Sequence, residues 1–408
     1  MSLAFQQNRL APSQTRRTIL PCSQKRSKVI VNSLSRREDD NSTYINIKNY
    51  ERTSLRMGLP SKGRMAEDTM NLFKDSALSV YKPNPRQYVA KIPQIPKLEV
   101  WFQRASDVVR KLQAEDLDLG IVGTDMVSEL AYGDQNLIVV HEALAFGECH
   151  LGLGVPISGK FSNVKSLEDL KNMPDWTAEN PLRVVTSYTN IAKEFFKRHG
   201  FQHVSFTAAD GALEAAPAMG SADIILDLVS TGVTLRENNL KEIEGGNVLE
   251  SQGMLVANRK ALLERPGLLK IVHELIERFD AHLKARCYYS VIANMRGESP
   301  EEVASILLNA PGLRGLQGPT ISPVYHFANG AASKEGMVAT AGNVAHSYYA
   351  ATICVHKKNL YKSLKALRKV GGSNVLVQPM TYIFDEEPQR WLDLLKKLDL
   401  SSGTVDVE

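Results

Sequence analysis

From residue 55 onward the chain exchanges two hydrophobic periods in regular succession. Short apolar runs at 55–59, 98–102, 117–122 and 137–142 alternate with stretches at 64–74, 105–114 and 126–132 whose apolar residues recur every three or four positions. The first kind predicts strands and the second helices. A second series follows, with strands at 150–155, 183–186, 204–207 and 224–229 and helices at 166–172, 191–198 and 212–219. Alternation of this kind predicts an α/β fold with a largely parallel sheet. LKEIEGGNVLES and GMLVANRK then read as two further strands, and 266–285 as a long helix. From about Arg286 the rhythm becomes strand 287–295, helix 300–309, strands 318–325 and 350–356, helix 360–370 and strand 373–380. That order, βαββαβ, predicts a ferredoxin-like module. Gly371 and Gly372 stop its last helix.

Composition narrows the class. The chain has 408 residues, room for two or three domains, with 43% hydrophobic and 23% charged residues. No apolar run reaches the ~18 residues of a membrane helix. The net charge of +4 invites a nucleic-acid reading, but residues 1–40 hold eight basic side chains against three acids. That local excess of five is larger than the whole, so the remainder is close to neutral and no nucleic-acid partner is expected. The segment has no acid before Glu38 and is rich in Ser and Gln, as a plastid or mitochondrial transit peptide is. A disordered basic arm is the alternative. Cys22 lies in this leader. Cys149, Cys287 and Cys354 are widely spaced, which fits reduced, largely buried thiols better than a disulfide framework or zinc site. His141, His150, His199 and His203 lack metal-ligand spacing and receive no catalytic role.

Candidate chemistry concentrates in ADIILDLVSTGVTLRENN, residues 222–239. On a strand, Asp223, Ile225 and Asp227 project to one side and Ile224, Leu226 and Leu228 to the other. Ser230, Thr231, Gly232, Val233 and Thr234 follow as a hydroxyl-rich turn opening a helix, whose free N–H groups and dipole suit a phosphate. The same turn chemistry also serves plain helix capping. An acid at the strand's carboxyl end, Asp227, can hold sugar hydroxyls; Asp223, at the opposite end, reads as a solvated or capping acid.

This stretch resembles the phosphoribosyl-diphosphate (PRPP) loop of the ATP phosphoribosyltransferases. LRMGLPSKGRMAEDTMNLF (55–73) is similar to that family's opening strand, Lys-Gly-Arg loop and first helix. LEVWFQRASDVVRKLQAEDLDLGIVGTDMVSE (98–129) resembles its Arg-x-x-Asp helix entry and Gly-rich turn ending in Asp. In DGALEAAPAMG (210–220) Ala212 stands where the family usually has Ser, leaving Glu214. GPTISPVYH and GGSNVLVQPM resemble strands of the regulatory domain of the long form, and long-form chains with such leaders resemble the plant chloroplast enzymes.

The resemblance implies a two-lobed, periplasmic-binding-protein-like (type II) catalytic body followed by the ferredoxin-like regulatory domain. Its boundaries are expected at 1–45 for leader and linker, 53–148 for the first catalytic domain with return segment 244–285, 149–243 for the second, and 286–400 for the regulatory domain. It also implies a reaction in which adenine N1 of ATP attacks C1 of PRPP, releasing diphosphate, as the first step of histidine biosynthesis. The catalytic assignment falls on Asp227 and Arg104. PRPP is assigned to Asp227, Ser230–Thr234 and Lys62, and ATP to Lys62, Gly63, Arg64, Asp125 and Glu214. Asp125 is also expected to cap the helix after it, and Asp107 to be a first-turn helix acid. Mg²⁺ is the expected cofactor, with no protein ligand assigned. Histidine, with AMP as a second candidate, is the expected inhibitor, Thr320 and Ser322 its contacts, and a homo-hexamer in the chloroplast stroma the expected assembly. Residues 327–349 form a longer insert than bacterial members carry. A non-catalytic two-lobed solute-binding or sensor protein is the alternative, and a pyrophosphohydrolase would want a cluster of metal-binding acids that the sequence lacks.

Overall fold

The computed structural model describes residues 52–324, 339, 340, 343, 344 and 348–401. The leader lies outside the described residues, as does most of the 327–349 insert. The first lobe comprises β1 (Leu55–Pro60), α1 (Gly63–Asp75), β2 (Val89–Lys91), β3 (Leu98–Gln103), α2 (Ala105–Gln113), β4 (Leu119–Gly123), α3 (Thr124–Leu130) and β5 (Leu137–His141). The second holds β6 (Cys149–Pro156), α4 (Leu167–Lys171), β7 (Leu182–Thr186), α5 (Thr189–Arg198), β8 (Val204–Ala208), β9 (Ile224–Val229), α6 (Val233–Glu237), β10 (Leu240–Lys241) and β11 (Asn247–Ser251). The chain then returns to the first lobe as β12 (Gly253–Asn258), α7 (Arg259–Glu264) and α8 (Leu268–Ala285).

The first sheet runs β2-β3-β1-β4-β12-β5. β3, β1 and β4 are parallel, with Met57 opposite both Val100 and Leu119, while β12 enters antiparallel with Val256 opposite Gly120. A returning strand inserted beside the third parallel strand is the type II binding-protein arrangement. Its core joins Met57, Leu59 and Ile121 to Phe73 of α1 and Phe279 of α8, whose rings meet edge-to-face at 5.3 Å. The second sheet runs β10-β6-β9-β7-β8, with β11 on β6. The alternation read along β9 governs its two faces. Ile224 and Leu226 pack with Leu153, Phe195 and Phe196, whereas Ile225 and Val229 pack on the other side with Leu213 and Leu235.

Each sheet is mixed, a correction to the largely parallel expectation. The parallel trio is interior in the first sheet and ends at the edge strand β8 in the second, and the chain's crossings between lobes add antiparallel strands β6 and β12 beside the trios. The predicted helix 212–219 shrinks to a single 3₁₀ turn, Leu213–Ala215, because Ala212 adopts a left-handed φ of 51° and Pro217 lies in the run. Short strand β2 was not anticipated.

The third sheet comprises β13 (Tyr288–Arg296), β14 (Thr320–Pro323), β17 (Tyr348–His356) and β18 (Ser373–Pro379), in order β14-β17-β13-β18 and antiparallel throughout. A two-residue ribbon, β15 (Ala339–Thr340) and β16 (Asn343–Val344), interrupts it in sequence. Helices α9 (Pro300–Asn309) and α10 (Leu360–Lys369) cover one face, burying Val303, Leu307 and Leu367 against Val291, Ala293 and Ile353. This is the βαββαβ module expected. One further helix, α11 (Gln389–Lys397), leaves that module and places Trp391, Leu394, Leu395 and Leu398 in the first lobe's core. Of the thiols, Cys287 is exposed and Cys149 and Cys354 half-buried, so the expectation of largely buried cysteines does not hold.

Candidate active site

The carboxyl ends of the parallel strands in both lobes converge on one cleft. A cavity of about 330 Å³ there is lined by Lys62, Met65, Arg104, Asp125, Tyr188 and Ser251, among others. Lys62 and Arg104 are the residues just before α1 and α2, each with extended backbone, so both side chains project from strand–helix junctions toward the cavity. Gly63 turns with φ of 71°, which frees the next residue, Arg64, to reach across the cleft. Its Nη1 donates to Ser230 Oγ at 3.2 Å. The cation-rich loop of one lobe thus touches the phosphate-type loop of the other, although 166 residues separate them in sequence.

In that loop Ser230, Thr231, Val233 and Thr234 are exposed. Gly232 precedes α6 with φ of 66°, and a Cβ there would stand 3.2 Å from Arg236 Nη1. Helix α6 therefore starts two residues earlier than the pattern predicts, placing Thr234 in its first turn. Asp227 is half-buried at the carboxyl end of β9 and accepts the backbone N–H of Leu228 at 2.8 Å. Burial pushes its carboxyl above the usual range; the Leu228 N–H opposes this, and the charge of Glu214 adds to it. Neither acid has a basic ion-pair partner among the described residues. Two uncompensated carboxylates beside a cation-lined cavity suit a ligand bearing hydroxyls or positive charge.

Asp125 departs from expectation. It does not cap α3: Gly123 occupies the cap position, and no side chain bonds there. Instead the carboxylate is buried and accepts Ser251 Oγ–H at 2.6 Å and Tyr188 O–H at 2.8 Å, while its own N–H donates to Ser251 Oγ at 3.1 Å. A Cβ on Gly123 would fall 2.1 Å from Asp125 Oδ1, so this packing needs glycine. Burial and the charge of Asp125 push the Tyr188 phenol far upward, so it remains a donor at every working pH. Beside this contact, Glu129 on α3 accepts the N–H groups of Asn190 and Ile191 at 3.0 Å, joining the lobes at the start of α5. Tyr188 and Ser251 were not singled out from the sequence. The available signal was position, since Tyr188 follows the carboxyl end of β7, where ligands of open α/β sheets bind.

The remaining sequence candidates separate. Glu214 acts on Asp227 from its 3₁₀ turn. Asp223 is neither solvated nor a cap: it is largely buried and pairs with Arg183 at 3.0 Å and Lys160 at 3.1 Å. Asp107 is a first-turn acid of α2, with Arg110 at 3.8 Å. Thr320 and Ser322 lie on edge strand β14, both exposed, away from this cavity.

A two-lobed α/β body with a cation-lined interlobe cleft, a hydroxyl-rich phosphate-type loop and two unpaired acids defines a class that binds a phosphorylated sugar. The comparisons place it further. The family model described as ATP phosphoribosyltransferase matches residues 104–281, and that described as HisG, C-terminal domain, matches 285–382. "ATP phosphoribosyltransferase 2, chloroplastic" of Arabidopsis thaliana is 59% identical over 86% of this chain and 82% of its own. "ATP phosphoribosyltransferase 1, chloroplastic" of the same plant is 58% identical over 86% and 82%. A solved ATP phosphoribosyl transferase (HisG:HisZ) complex from Thermotoga maritima aligns with TM-score 0.44 and 22% identity, covering 55% of this chain and 98% of that one. The chain belongs to the ATP phosphoribosyltransferase family, in its long form.

Proposed function

We propose that the chain joins ATP to PRPP, giving N1-(5-phosphoribosyl)-ATP and diphosphate at the head of histidine biosynthesis, within a chloroplast. The observation that carries it is the Arg64–Ser230 contact, which brings the cations of α1 to the loop suited to the 5-phosphate. The loop's hydroxyls and N–H groups hold that phosphate. Asp227 faces the ribose, and Lys62 and Arg104 face the diphosphate and the ATP phosphates. Gly63 and Arg64 complete the ATP side, Asp125 shapes it through Ser251 and Tyr188, and Glu214 tunes Asp227.

Adenine N1 already carries a lone pair, so the task is alignment and charge stabilisation. As the C1–diphosphate bond lengthens, the ribose gains positive charge and the Asp227 carboxylate becomes more favourable beside it. The departing diphosphate gains negative charge toward Lys62 and Arg104. Among the described residues no cluster of three ligating side chains is built to hold a metal. Mg²⁺ is therefore assigned to the diphosphate, with Asp227 and Glu214 as the acids beside it, and it would supply neutralisation of leaving-group charge.

The proposed division is 53–148 with a return segment, 149–243, and a regulatory domain from 286, in keeping with three separate sheets and their cores. Two bounds shift. Strand β11 (Asn247–Ser251) pairs with β6, so the return begins at β12 and not at 244, and α11 lies in the first lobe's core, so the regulatory domain stops short of 400. The regulatory domain is assigned histidine at Thr320 and Ser322, with AMP as a further inhibitor, and a homo-hexamer as the assembly. Residues 1–45 are assigned as a chloroplast transit peptide, because both Arabidopsis relatives carry the description chloroplastic.

The test is stoichiometric. One diphosphate should appear per ATP consumed, and none when either substrate is omitted. A chain that binds PRPP and releases no diphosphate in the presence of ATP would instead be the solute-binding protein.

A further inference from the structure

The family's C-terminal model ends at residue 382, yet the chain continues through α11. Residues 382–398 run from the third sheet back onto the first lobe and are fastened at each step. Tyr382 donates to the Asp75 carbonyl, at the end of α1, at 2.8 Å. The Ile383 N–H reaches the Ala281 carbonyl on α8 at 3.0 Å, and Asp385 pairs with Lys284. Glu387 meets His273 at 2.9 Å. Helix α11 then buries Trp391, Leu394 and Leu395 to 2% exposure or less.

One basic grip of the strap points at the crossing between lobes, while Lys397 Nζ holds the Val139 carbonyl on β5 at 3.3 Å. Arg390 Nη1 lies 2.5 Å from Asp280 Oδ1, and its Nη2 lies 2.8 Å from Glu142 Oε1. Asp280 also accepts from the fully buried His141: the Ala143 N–H occupies Nδ1 at 3.2 Å, so Nε2 bears the proton and donates at 3.1 Å. Burial opposes ionisation of Glu142, but the bonds from Arg390 outweigh it and hold the carboxyl below its usual range. Residues 141–143 open the segment that leaves β5 for β6, and its far end supplies Gly147 and Cys149 to the catalytic cavity.

We propose that residues 382–398 are a strap coupling the C-terminal module to the interlobe crossing, with Arg390 the positioning residue that sets the crossing through Glu142 and Asp280. Arg390 touches no substrate; it acts by fixing where the cavity wall at 147–149 stands relative to Lys62 and Arg104. The 230–234 loop is anchored in the second lobe's own core through Val229 and Leu235, so the grip on the 5-phosphate should not feel the strap, and PRPP binding should feel it only through its diphosphate. The coupling half rests on the proposed reading of the C-terminal module as the histidine-binding part.

The test uses the full chain with R390M, E142Q, their double variant and R390K. KM for ATP should rise by about fivefold or more in R390M and E142Q. The double variant should be no worse than the worse single one, since both remove one interaction. R390K should recover part of the loss. The PRPP dissociation constant by calorimetry should rise by clearly less than KM for ATP, because the loop that holds its 5-phosphate is separately anchored. Histidine should still bind within about threefold but inhibit R390M less completely, since binding and coupling are distinct quantities. E142Q alters an exposed partner on a different element, so it decides the matter if R390M does not fold. Wild-type KM for ATP with wild-type inhibition in the variants would overturn the proposal. So would a fall in kcat at unchanged KM, the mark of a smaller folded fraction. If the wild-type chain binds no histidine, the regulatory reading and the coupling half both fall, and the KM arm alone decides the positioning role.

Discussion

Tyr188→Phe removes one oxygen from the contact that joins the lobes at the cavity, and its consequence can be worked from the structure. The Tyr188 hydroxyl donates at 2.8 Å to a carboxylate whose other bond comes from Ser251 at 2.6 Å. Asp125 is only 6% exposed, so water cannot fully replace the lost donor. A hydrogen bond to a charged group is worth about 1.5–3 kcal/mol, and leaving a buried acceptor unsatisfied costs within the same range. At roughly 2–4 °C per kcal/mol for a domain of 150–250 residues, the midpoint of thermal unfolding should fall by about 3–12 °C. Because the phenol stays protonated, the loss should be the same across the neutral range. KM for ATP should rise as well, since Asp125 lines the same cavity. The double variant Y188F/D125N should be markedly less destabilised than the sum of the single effects. A midpoint within 1 °C of wild type, with unchanged KM, would refute the claim that this contact holds the cleft together.

Thr231→Ala and Thr234→Ala should each weaken PRPP binding by roughly tenfold or more in calorimetry, the equivalent of one charge-assisted bond, with unchanged unfolding curves. Unaltered PRPP binding in both would remove the phosphate assignment. Asp227 must be ionised to favour positive charge, and burial raises its pKa, so kcat/KM should rise with pH through a value above the ordinary aspartate range. Asp227→Asn should abolish that acid limb and lower turnover at every pH; a retained limb would assign it to another group. A chain ended at residue 285 loses Trp391, Leu394, Leu395 and Leu398 from the first lobe's core. At roughly 1.5–3 kcal/mol per buried side chain this approaches the ~5–15 kcal/mol that holds a protein folded, so the truncated body should not accumulate as a cooperatively unfolding species. A truncated body with a wild-type unfolding midpoint would show that α11 contributes nothing to that core.

The fold was legible where a local period carried it. Strand β9 and helices α1, α2 and α5 were read within a few residues because their apolar faces repeat in sequence, and the order βαββαβ identified the third sheet. The antiparallel flanks were not legible, since the direction of β6 and β12 depends on the chain crossing between lobes. Helix α11 had a readable signal, Trp391, Leu394, Leu395 and Leu398 at helical spacing, but its partner surface lies about 110 residues or more away in sequence. Lys62, Arg64, Arg104 and Asp227 were readable as candidates because each sits at or near a strand–helix junction, and the structure places Lys62 and Arg104 on the cavity and Arg64 against Ser230. Asp125 was found for the wrong reason. Its apparent capping position concealed a buried role set by Ser251 and Tyr188, 126 and 63 residues away.

The most direct test of the account is the ultraviolet spectrum of the purified chain with ATP, PRPP and Mg²⁺, with Asp227→Asn as control. Substitution at adenine N1 changes the absorbance of the ring, so the account predicts a growing absorbance that needs both substrates and nearly vanishes in the variant. A spectrum that stays that of ATP, while PRPP is bound, would contradict it.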